Sequence, residues 1–303
     1  MAIMNFVAER VLVRAPATSA NLGPGFDSLG LALALYDDVH ARIVTAGIRV
    51  TVSGEGAGDL ASDETHLVAA TALATFDLLG GRPSGLEIDC HNRIPQARGL
   101  GSSSAAIVAG ILLARGLVTG GKTRLDDAAA LRLASEIEGH ADNVAPCLLG
   151  GFTIAWTGPA GAEAVRLAPV PSVQATIFIP DERGLTAHAR AALPATVPHR
   201  DAAANAGRAA LLVHALTADP AHLFAATEDR LHQSYRAPGM PATAALVETL
   251  RALGVPAMVS GAGPSVLALV GAGSDVAIPD TPGWHTLSPG CDMIGATCEV
   301  GLP

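Results

Sequence analysis

The segment Pro95–Ala106, PQARGLGSSSAA, constrains the fold of this chain more than any other stretch. Two glycines bracket Leu100, three serines follow, and the apolar run Ser103–Leu117 begins directly behind them, which predicts a tight turn opening a buried helix. Free N–H groups and the positive dipole end at such a helix start favour an anion, so the segment predicts a phosphate-binding loop. The alternative is a serine-capped helix that binds nothing. The candidate phosphate-binding residues are Pro95, Arg98, Gly99, Leu100, Gly101, Ser102, Ser103, Ser104 and Ala105.

The apolar runs along the chain predict seven strands and six helices, including Ser103–Leu117. The strands are expected at Arg10–Arg14, Ile48–Val52, Leu86–His91, Phe152–Trp156, Ala175–Pro180, Ala257–Ser260 and Ser265–Val270. The helices are expected at Glu64–Leu79, Ser103–Leu117, Leu125–Gly139, Asp201–Ala218, Ala221–Leu231 and Ala242–Leu253. Because strands and helices do not alternate strictly, we expect an α+β fold and not a doubly wound parallel sheet. The turn-prone segment Thr157–Gly161 predicts a boundary between a domain 1–158 and a domain 159–303.

Composition excludes several classes of function. The net charge of the 303 residues is −9 and no cluster of Lys and Arg occurs, which argues against nucleic acid or an anionic membrane as the partner. The longest apolar stretch, Ala105–Ala114, is about half the roughly 20 residues that span a bilayer. Glu9 interrupts the apolar N-terminus, so a signal peptide is not expected. Four cysteines without metal-ligand spacing predict reduced thiols in a cytoplasmic protein.

One motif is misleading. The segment Gly116–Thr123, GLVTGGKT, matches the P-loop pattern GxxxxGK[ST] letter for letter. A P-loop follows a strand, whereas this segment follows the predicted helix Ser103–Leu117 and runs into another. We therefore interpret it as a helix–helix turn.

Three further clusters of polar residues are candidates for a site. The loop Asn21–Gly30 presents Asn21 and Asp27, which could bind an ammonium or hydroxyl group or could satisfy a local turn. The segment Glu136–Pro146, EIEGHADNVAP, crowds acidic and polar side chains between apolar flanks, and such groups must be paired or bind a cation. Magnesium fits better than zinc there, because no second histidine stands at ligand spacing.

Two weaker signals lie in the second half of the chain. The loop Ser260–Ser265, SGAGPS, would bring the backbone at Gly261 and Gly263 close either to a phosphate or to another loop. Arg190 and Arg236 could form bidentate contacts with a carboxylate or could be ordinary surface residues.

The four motifs together resemble those of the GHMP small-molecule kinases. The matching segments are RAPATSANLGPGFDSLGLAL, PQARGLGSSSAA, EGHADNVAP and SGAGPS, in the family's order and across almost the whole chain. The sequences of the first and third segments are most similar to those of the family members that act on homoserine. The resemblance implies an N-terminal domain like ribosomal protein S5 domain 2 and a ferredoxin-like C-terminal domain, with ATP between them. It also implies ATP-dependent phosphorylation of L-homoserine to O-phospho-L-homoserine, a step toward threonine.

The resemblance further implies the role of individual residues. Ser102 and its neighbours would hold the β- and γ-phosphates of ATP, and Ser102 with Glu138, favoured over Glu136, would hold Mg²⁺. Gly261 and Gly263 would belong to the ATP site as well. The implied substrate residues are Asn21, Asp27 for the ammonium group, His140, Asn143, and Thr186, Arg190 and Arg236 for the carboxylate. Asn143 stands where related kinases carry an aspartate, so we expect catalysis by Asn143, Ser102 and Glu138 without a side-chain base.

The sequence leaves three other functions to be separated by experiment. They are a GHMP kinase acting on a different alcohol, a binding protein of the same fold that has lost catalysis, and a P-loop nucleotidase. The intact glycine loop and acidic ligand argue against the second. The sequence does not fix the adenine contacts, for which Ser62–Val68 is a candidate only by position, nor the oligomeric state, for which a homodimer is one option.

Overall fold

The computed structural model describes residues 5–7, 10–184, 186–271 and 281–302. The strands of these ranges are β1 (Arg10–Ala20), β2 (Leu29–Ile43), β3 (Gly47–Gly54), β4 (Gly85–Asn92), β5 (Phe152–Gly158), β6 (Gly161–Leu167), β7 (Val173–Ile179), β8 (Ala257–Val259), β9 (Val266–Gly271), β10 (His285–Leu287) and β11 (Thr297–Leu302). The helices are α1 (Leu67–Leu79), α2 (Ser102–Leu117), α3 (Gly121–Arg124), α4 (Asp127–Glu138), α5 (Val144–Leu149), α6 (Thr186–Ala191), α7 (His199–Thr217), α8 (Leu223–Ala226), α9 (Gln233–Arg236) and α10 (Pro241–Ala252). Two 3₁₀ turns lie at Pro220–His222 and Ala237–Gly239.

The strands form two sheets. The larger has the order β11-β1-β2-β4-β3, with β5 paired to β2 and β6 paired to β5. The smaller has the order β10-β7-β9-β8. Within the described ranges, β3 and β4 run parallel and the other paired strands antiparallel, so the expected α+β class is confirmed.

Helix α2 is the central element of the core. Its buried positions run almost without a break from Ser104 to Leu117, so it is covered on nearly every side. A Cβ at Gly110 would lie 2.6 Å from the carbonyl oxygen of Val68, which shows how closely the backbones of α1 and α2 approach. Each buried aliphatic side chain contributes about 1.5–3 kcal/mol. This packing fixes the direction of α2 and therefore the position of its N-terminus.

Most of the predicted elements are confirmed. Each predicted strand overlaps one of the strands, and five of the predicted helices match α1, α2, α4, α7 and α10 within a few residues. The segment Gly116–Thr123 connects α2 with α3, which confirms the helix–helix turn in place of a P-loop. The described residues include no helix long and apolar enough to cross a membrane.

The predicted helix Ala221–Leu231 is wrong in its second half. Helix α8 ends at Ala226, and the chain turns before α9 begins. The carboxylate of Asp229 causes this break, because it accepts hydrogen bonds from the backbone N–H groups of the three residues Leu231–Gln233. An aspartate that satisfies the free N–H groups at a helix start favours a new helix over continuation of the old one.

The turn-prone segment Thr157–Gly161 forms the tip of the β5–β6 hairpin, where Gly158 pairs with Gly161. The chain passes from the larger sheet to the smaller one between Leu167 and Val173. Buried residues of both sheets belong to one continuous apolar cluster. The division into domains 1–158 and 159–303 stays a prediction.

Candidate active site

A cavity of about 520 Å³ opens at the N-terminus of α2 and gathers the polar segments that the sequence analysis singled out. The predicted residues that line it are Asn21, Asp27, Arg98, Gly99, Leu100, Gly101, Ser102, Ser103, Ala105, Glu138, His140, Asn143, Arg190, Arg236 and Gly261. Pro95, Ser104 and Gly263 are not among the lining residues. Thr186 begins α6, and its side chain lies outside the described residues.

The glycine loop has the geometry that its sequence predicts. Gly99 and Gly101 have φ angles of +71° and +70°, in the left-handed region that favours glycine. A Cβ at Gly101 would collide with the hydroxyl of Thr18, and one at Gly99 with the carbonyl oxygen of Ser260. Gly101 precedes α2 without a side-chain cap, so the first N–H groups of the helix have no intrahelical acceptor. The loop therefore presents backbone donors to an anion in the cavity.

Glu138 lies at the end of α4, directly beside this loop. Its Oε1 accepts hydrogen bonds from the hydroxyls of Ser103, at 2.7 Å, and Ser104, at 3.0 Å. Ser104 is fully buried, so it holds the Glu138 carboxylate from the protein interior and does not line the cavity. Hydroxyl and carboxylate oxygens beside a phosphate-binding loop fit a hard cation such as Mg²⁺. Ser102 and Glu138, the predicted Mg²⁺ ligands, both line the cavity, whereas Glu136 does not. Ser103, and not Ser102, contacts Glu138, and the pair of Mg²⁺ ligands stays a prediction.

Asn143, at the start of α5, lines the cavity beside the glycine loop. Its Oδ1 accepts a hydrogen bond of 2.8 Å from the hydroxyl of Thr18 in β1. Because the oxygen is engaged, the amide NH₂ is the part of the side chain available to a ligand. Thr18, which is fully buried and stands 125 residues from Asn143 in the chain, was not among the predicted site residues. Thr18 belongs to the first matched segment, RAPATSANLGPGFDSLGLAL, but its contact with Asn143 arises only in the folded structure.

His140 and Asp142 form a pair at the same wall of the cavity. Nδ1 of His140 lies 2.6 Å from Oδ1 of Asp142, which is 2% exposed. The hydrogen bond to Asp142 raises the pKa of the His140 imidazole, although burial opposes this shift. The carboxylate of Asp142 is thereby engaged by an imidazole whose protonated form it stabilises.

Arg236, in α9, is a buried cation at the opposite wall. It is 3% exposed and donates to the carbonyl oxygens of Ala189 and Gly261. Among the described residues, no carboxylate lies within ion-pair distance of its guanidinium group. Burial lowers its pKa, because a charge removed from water is destabilised. A buried cation facing a cavity without an acidic partner favours an anionic group of a ligand.

The ring of Phe26 lies beside two arginines at this wall of the cavity. The guanidinium carbons of Arg190 and Arg236 lie 5.7 and 5.4 Å from the centre of the Phe26 ring, in contact with its face. Arg190 also forms a two-pronged ion pair with Asp27, with N–O distances of 2.8 and 3.0 Å. The predicted binders of a carboxylate and of an ammonium group therefore neutralise each other here.

Asn21 connects the first loop to the second glycine loop. Its Oδ1 accepts from the backbone N–H of Asp27, and its Nδ2 donates to the carbonyl oxygen of Gly261 at 2.8 Å. Both contacts are with protein, so the side chain positions Asp27 even where it also lines the cavity.

The second glycine loop lies against the first. The hydroxyl of Ser260 donates to the carbonyl oxygen of Gly99 at 2.7 Å, and Gly261 lines the cavity whereas Gly263 packs toward Met240. Arg98 donates to three backbone carbonyl oxygens, which anchors the glycine loop to the end of β7. These contacts hold the backbone of the glycine loop in one conformation.

The far end of the cavity includes part of the candidate adenine region. The residues Thr65–Val68 line it together with Asp37 and Asn92, which the sequence analysis did not single out. Burial raises the pKa of Asp37 to about 6, although it accepts hydrogen bonds from two backbone N–H groups. Asp37 and Asn92 come from strands β2 and β4, so the sheet and not a sequence motif brings them to this place.

Comparison with known proteins agrees with this architecture. The family model "GHMP kinases N terminal domain" matches residues 66–151, and "GHMP kinases C terminal" matches residues 202–278. A homoserine kinase of Streptomyces coelicolor is 58% identical over 294 residues, covering 96% of this chain and 95% of the relative. One of Clavibacter michiganensis is 50% identical over 303 residues, covering 96% and 95%. The crystal structure of a homoserine kinase from Cytophaga hutchinsonii superposes with a TM-score of 0.80 at 26% identity, covering 97% of this chain and 99% of the other.

Proposed function

Because this chain belongs to the GHMP kinase family, we propose that it transfers the γ-phosphoryl group of ATP to the side-chain hydroxyl of L-homoserine. The products are ADP and O-phospho-L-homoserine, a precursor of threonine. One observation carries the proposal. A single cavity is lined both by the glycine loop at the N-terminus of α2 and by the buried cation Arg236. The first suits a triphosphate and the second suits the carboxylate of an amino acid.

The nucleotide is bound by its phosphates. The backbone N–H groups from Leu100 to Ser103 donate to the phosphate oxygens, and the dipole of α2 stabilises their charge. Glu138 and Ser103 would hold Mg²⁺, with Ser102 as a further oxygen ligand nearby. The cation, when bound, neutralises charge on the β- and γ-phosphates. Phosphoryl transfer demands mainly such positioning and neutralisation from a protein.

The amino acid is bound by its two charged ends. Arg236 and Arg190 hold the carboxylate, and Asp27 holds the ammonium group. Because Asp27 and Arg190 pair with each other in the structure described here, the zwitterion replaces one internal ion pair by two intermolecular ones. An alcohol with a carboxylate but no ammonium group could bind Arg236 while Asp27 and Arg190 stay paired with each other, so it would gain only one of the two intermolecular ion pairs. This argument favours homoserine over the other alcohols phosphorylated by the family.

The reacting proton has no obvious side-chain acceptor. An amide cannot accept it, so Asn143 can only donate from its NH₂ group to an oxygen of the phosphate or of the substrate. Asp142 is engaged by His140. The hydroxyl oxygen attacks the γ-phosphorus while the bond to the β–γ bridging oxygen breaks. The proton then passes to an oxygen of the transferred phosphoryl group or to water.

A coupled ADP-release assay tests the assignment of substrate. Homoserine should give the highest kcat/KM in a panel with mevalonate, shikimate and 3-aminopropan-1-ol, which is homoserine without its carboxylate. Product mass should show one phosphate on homoserine. Preference for an uncharged or singly charged alcohol would overturn the proposal, as would release of ADP at an equal rate without any alcohol.

The pH dependence of kcat tests the absence of a base. Asn143→Ala should lower kcat without moving a kinetic pKa, because the amide positions and does not titrate. Asp142→Asn is the matched variant. Disappearance of an acidic limb in Asp142→Asn alone would nominate Asp142 as the base.

The cellular setting follows from the same proposal. We propose the cytoplasm, where ATP and Mg²⁺ are available, and the four cysteines are free thiols as a reducing compartment maintains them. A homodimer stays a prediction, for which sedimentation of the purified protein is the direct measurement.

A further inference from the structure

A second cluster of metal-binding side chains lies away from the active site. His214 stands in the last turn of α7, and Asp219 and His222 flank and end the following 3₁₀ turn. One ligand atom from each of the three residues lies within 4.8 Å of the others. This is the one such group of His, Cys, Asp or Glu side chains found among the described residues. None of the three lines the cavity of about 520 Å³.

The geometry points to a site for a divalent transition metal ion of the Zn²⁺ type, and we propose that His214, Asp219 and His222 bind it. In a tetrahedral zinc site with bonds of about 2.0–2.1 Å, neighbouring ligand atoms are about 3.4 Å apart. Nε2 of His222 and Oδ2 of Asp219 already lie 3.4 Å apart. The imidazole rings of His214 and His222 have their centres 6.0 Å apart, and a ligand nitrogen of His214 lies within 4.8 Å of the other two ligand atoms.

The local backbone holds the three ligands together without the metal. The carbonyl oxygen of His214 accepts hydrogen bonds from the N–H groups of Ala218 and Asp219, so the end of α7 folds back on itself. Oδ1 of Asp219 accepts from the N–H of Ala221, which leaves Oδ2 as the coordinating oxygen. Such a preformed arrangement reduces the entropy lost on binding. Water would supply the fourth ligand.

The donor set selects the type of metal. Two imidazoles and one carboxylate suit Zn²⁺, Ni²⁺ or Cu²⁺, whereas Mg²⁺ prefers oxygen ligands only. This site is therefore chemically distinct from the oxygen-rich group at Glu138. Among the described residues, no cysteine belongs to a group of three ligand atoms that could hold a metal.

Binding should stabilise the fold without changing the reaction. The metal would connect the end of α7 with the 3₁₀ turn Pro220–His222. The contact of α7 with the loop Asn21–Gly30, which carries Asp27, lies elsewhere on the helix, at Asn205, which donates to the carbonyl oxygen of Pro24. Nine residues of helix, about 13 Å, separate Asn205 from His214. Anything that binds the native state alone raises the unfolding temperature by mass action.

Zinc titration of the metal-free, tag-free full chain tests the proposal. Calorimetry is performed in excess Mg²⁺, which occupies the oxygen-rich site, and thermal unfolding is followed with and without Zn²⁺. We expect one equivalent of Zn²⁺ to bind and to raise Tm. His214→Ala and His222→Ala should each weaken binding at least about tenfold and abolish the Tm shift, since even outer-shell changes cost 10- to 100-fold. His199→Ala, at the exposed start of the same helix, is the matched control and should bind as the wild type does.

Kinase activity without zinc should be unchanged in all three variants, which shows that they fold. The proposal is wrong if the wild type binds no zinc at micromolar concentrations, or if neither His214→Ala nor His222→Ala weakens zinc binding. It is also wrong if His199→Ala loses binding to the same extent.

Discussion

Replacement of Arg236 by methionine separates the role of burial from the role of charge at the substrate carboxylate. Arg236 is 3% exposed, and among the described residues no carboxylate lies within ion-pair distance of it, so the substrate carboxylate would be its direct ion-pair partner. Truncating one member of a buried, hydrogen-bonded charge pair costs about 2–5 kcal/mol. Since each 1.4 kcal/mol is a factor of ten, kcat/KM for homoserine should fall roughly 30- to 4,000-fold.

Arg190→Met is the matched comparison. The side chain of Arg190 is 46% exposed and already pairs with Asp27. An exposed ion pair contributes only about 0.2–1 kcal/mol, so the loss of kcat/KM should not exceed about fivefold. The losses of kcat/KM in Arg236→Met and Arg190→Met should therefore differ by at least several-fold, although both arginines would contact the same carboxylate.

Steady-state kinetics with homoserine and with 3-aminopropan-1-ol provide the assay. Arg236→Met should lose activity on homoserine, keep the wild-type KM for ATP, and equal the wild type on the amino alcohol, which has no carboxylate to bind. A loss below fivefold on homoserine, or an equal loss on both alcohols, would refute the argument from burial.

Three further substitutions test other parts of the site. Gly101→Ala should raise the KM for ATP at least about tenfold, because a left-handed φ costs about 1–2 kcal/mol outside glycine and the new methyl group collides with the Thr18 hydroxyl; an unchanged KM would contradict this. Asp142→Asn should lower Tm more at pH 5.5 than at pH 9, because the hydrogen bond to Asp142 raises the pKa of His140 above its ordinary 6.5. The stability that this pair contributes is fully present below pH 6.5 and is lost as the pH rises through the pKa of His140 in the folded state. Equal losses of Tm at both pH values would count against this prediction. Lys122→Ala should leave kcat and both KM values unchanged, because that side chain is 77% exposed and outside the cavity, whereas a loss of ATP binding would revive the P-loop interpretation.

The parts of the fold that were predictable are those with local causes. The glycine loop and α2 follow from the conformational freedom of glycine and from the continuous apolar run behind it. Strand β2, by contrast, begins with the Ala- and Leu-rich sequence LGLALALY, whose residues have no strong preference for strands. Its extended conformation is imposed by pairing with β1, β4 and β5, which a single sequence does not reveal.

The site shows the same division. The motifs identified Glu138 and Asn143, because polar residues crowded between apolar flanks require partners. They did not single out Asp37, which lines the cavity, or Thr18, which holds the Asn143 side chain from beneath the cavity wall. Both take up these positions only because strands distant in sequence pair side by side. Which serine contacts Glu138 depends on the rotation of α2 about its axis. The spacing of residues in the sequence does not show that this serine is Ser103 and not Ser102.

The most direct measurement of the central claim is a crystal structure of the protein with a non-hydrolysable ATP analogue and homoserine. The account predicts the triphosphate within hydrogen-bond distance of the backbone N–H groups of Leu100–Ser103. It also predicts the amino acid carboxylate on Arg236 and the hydroxyl facing the γ-phosphate. A triphosphate seated at Gly116–Thr123, or an amino acid bound away from Arg236, would contradict it.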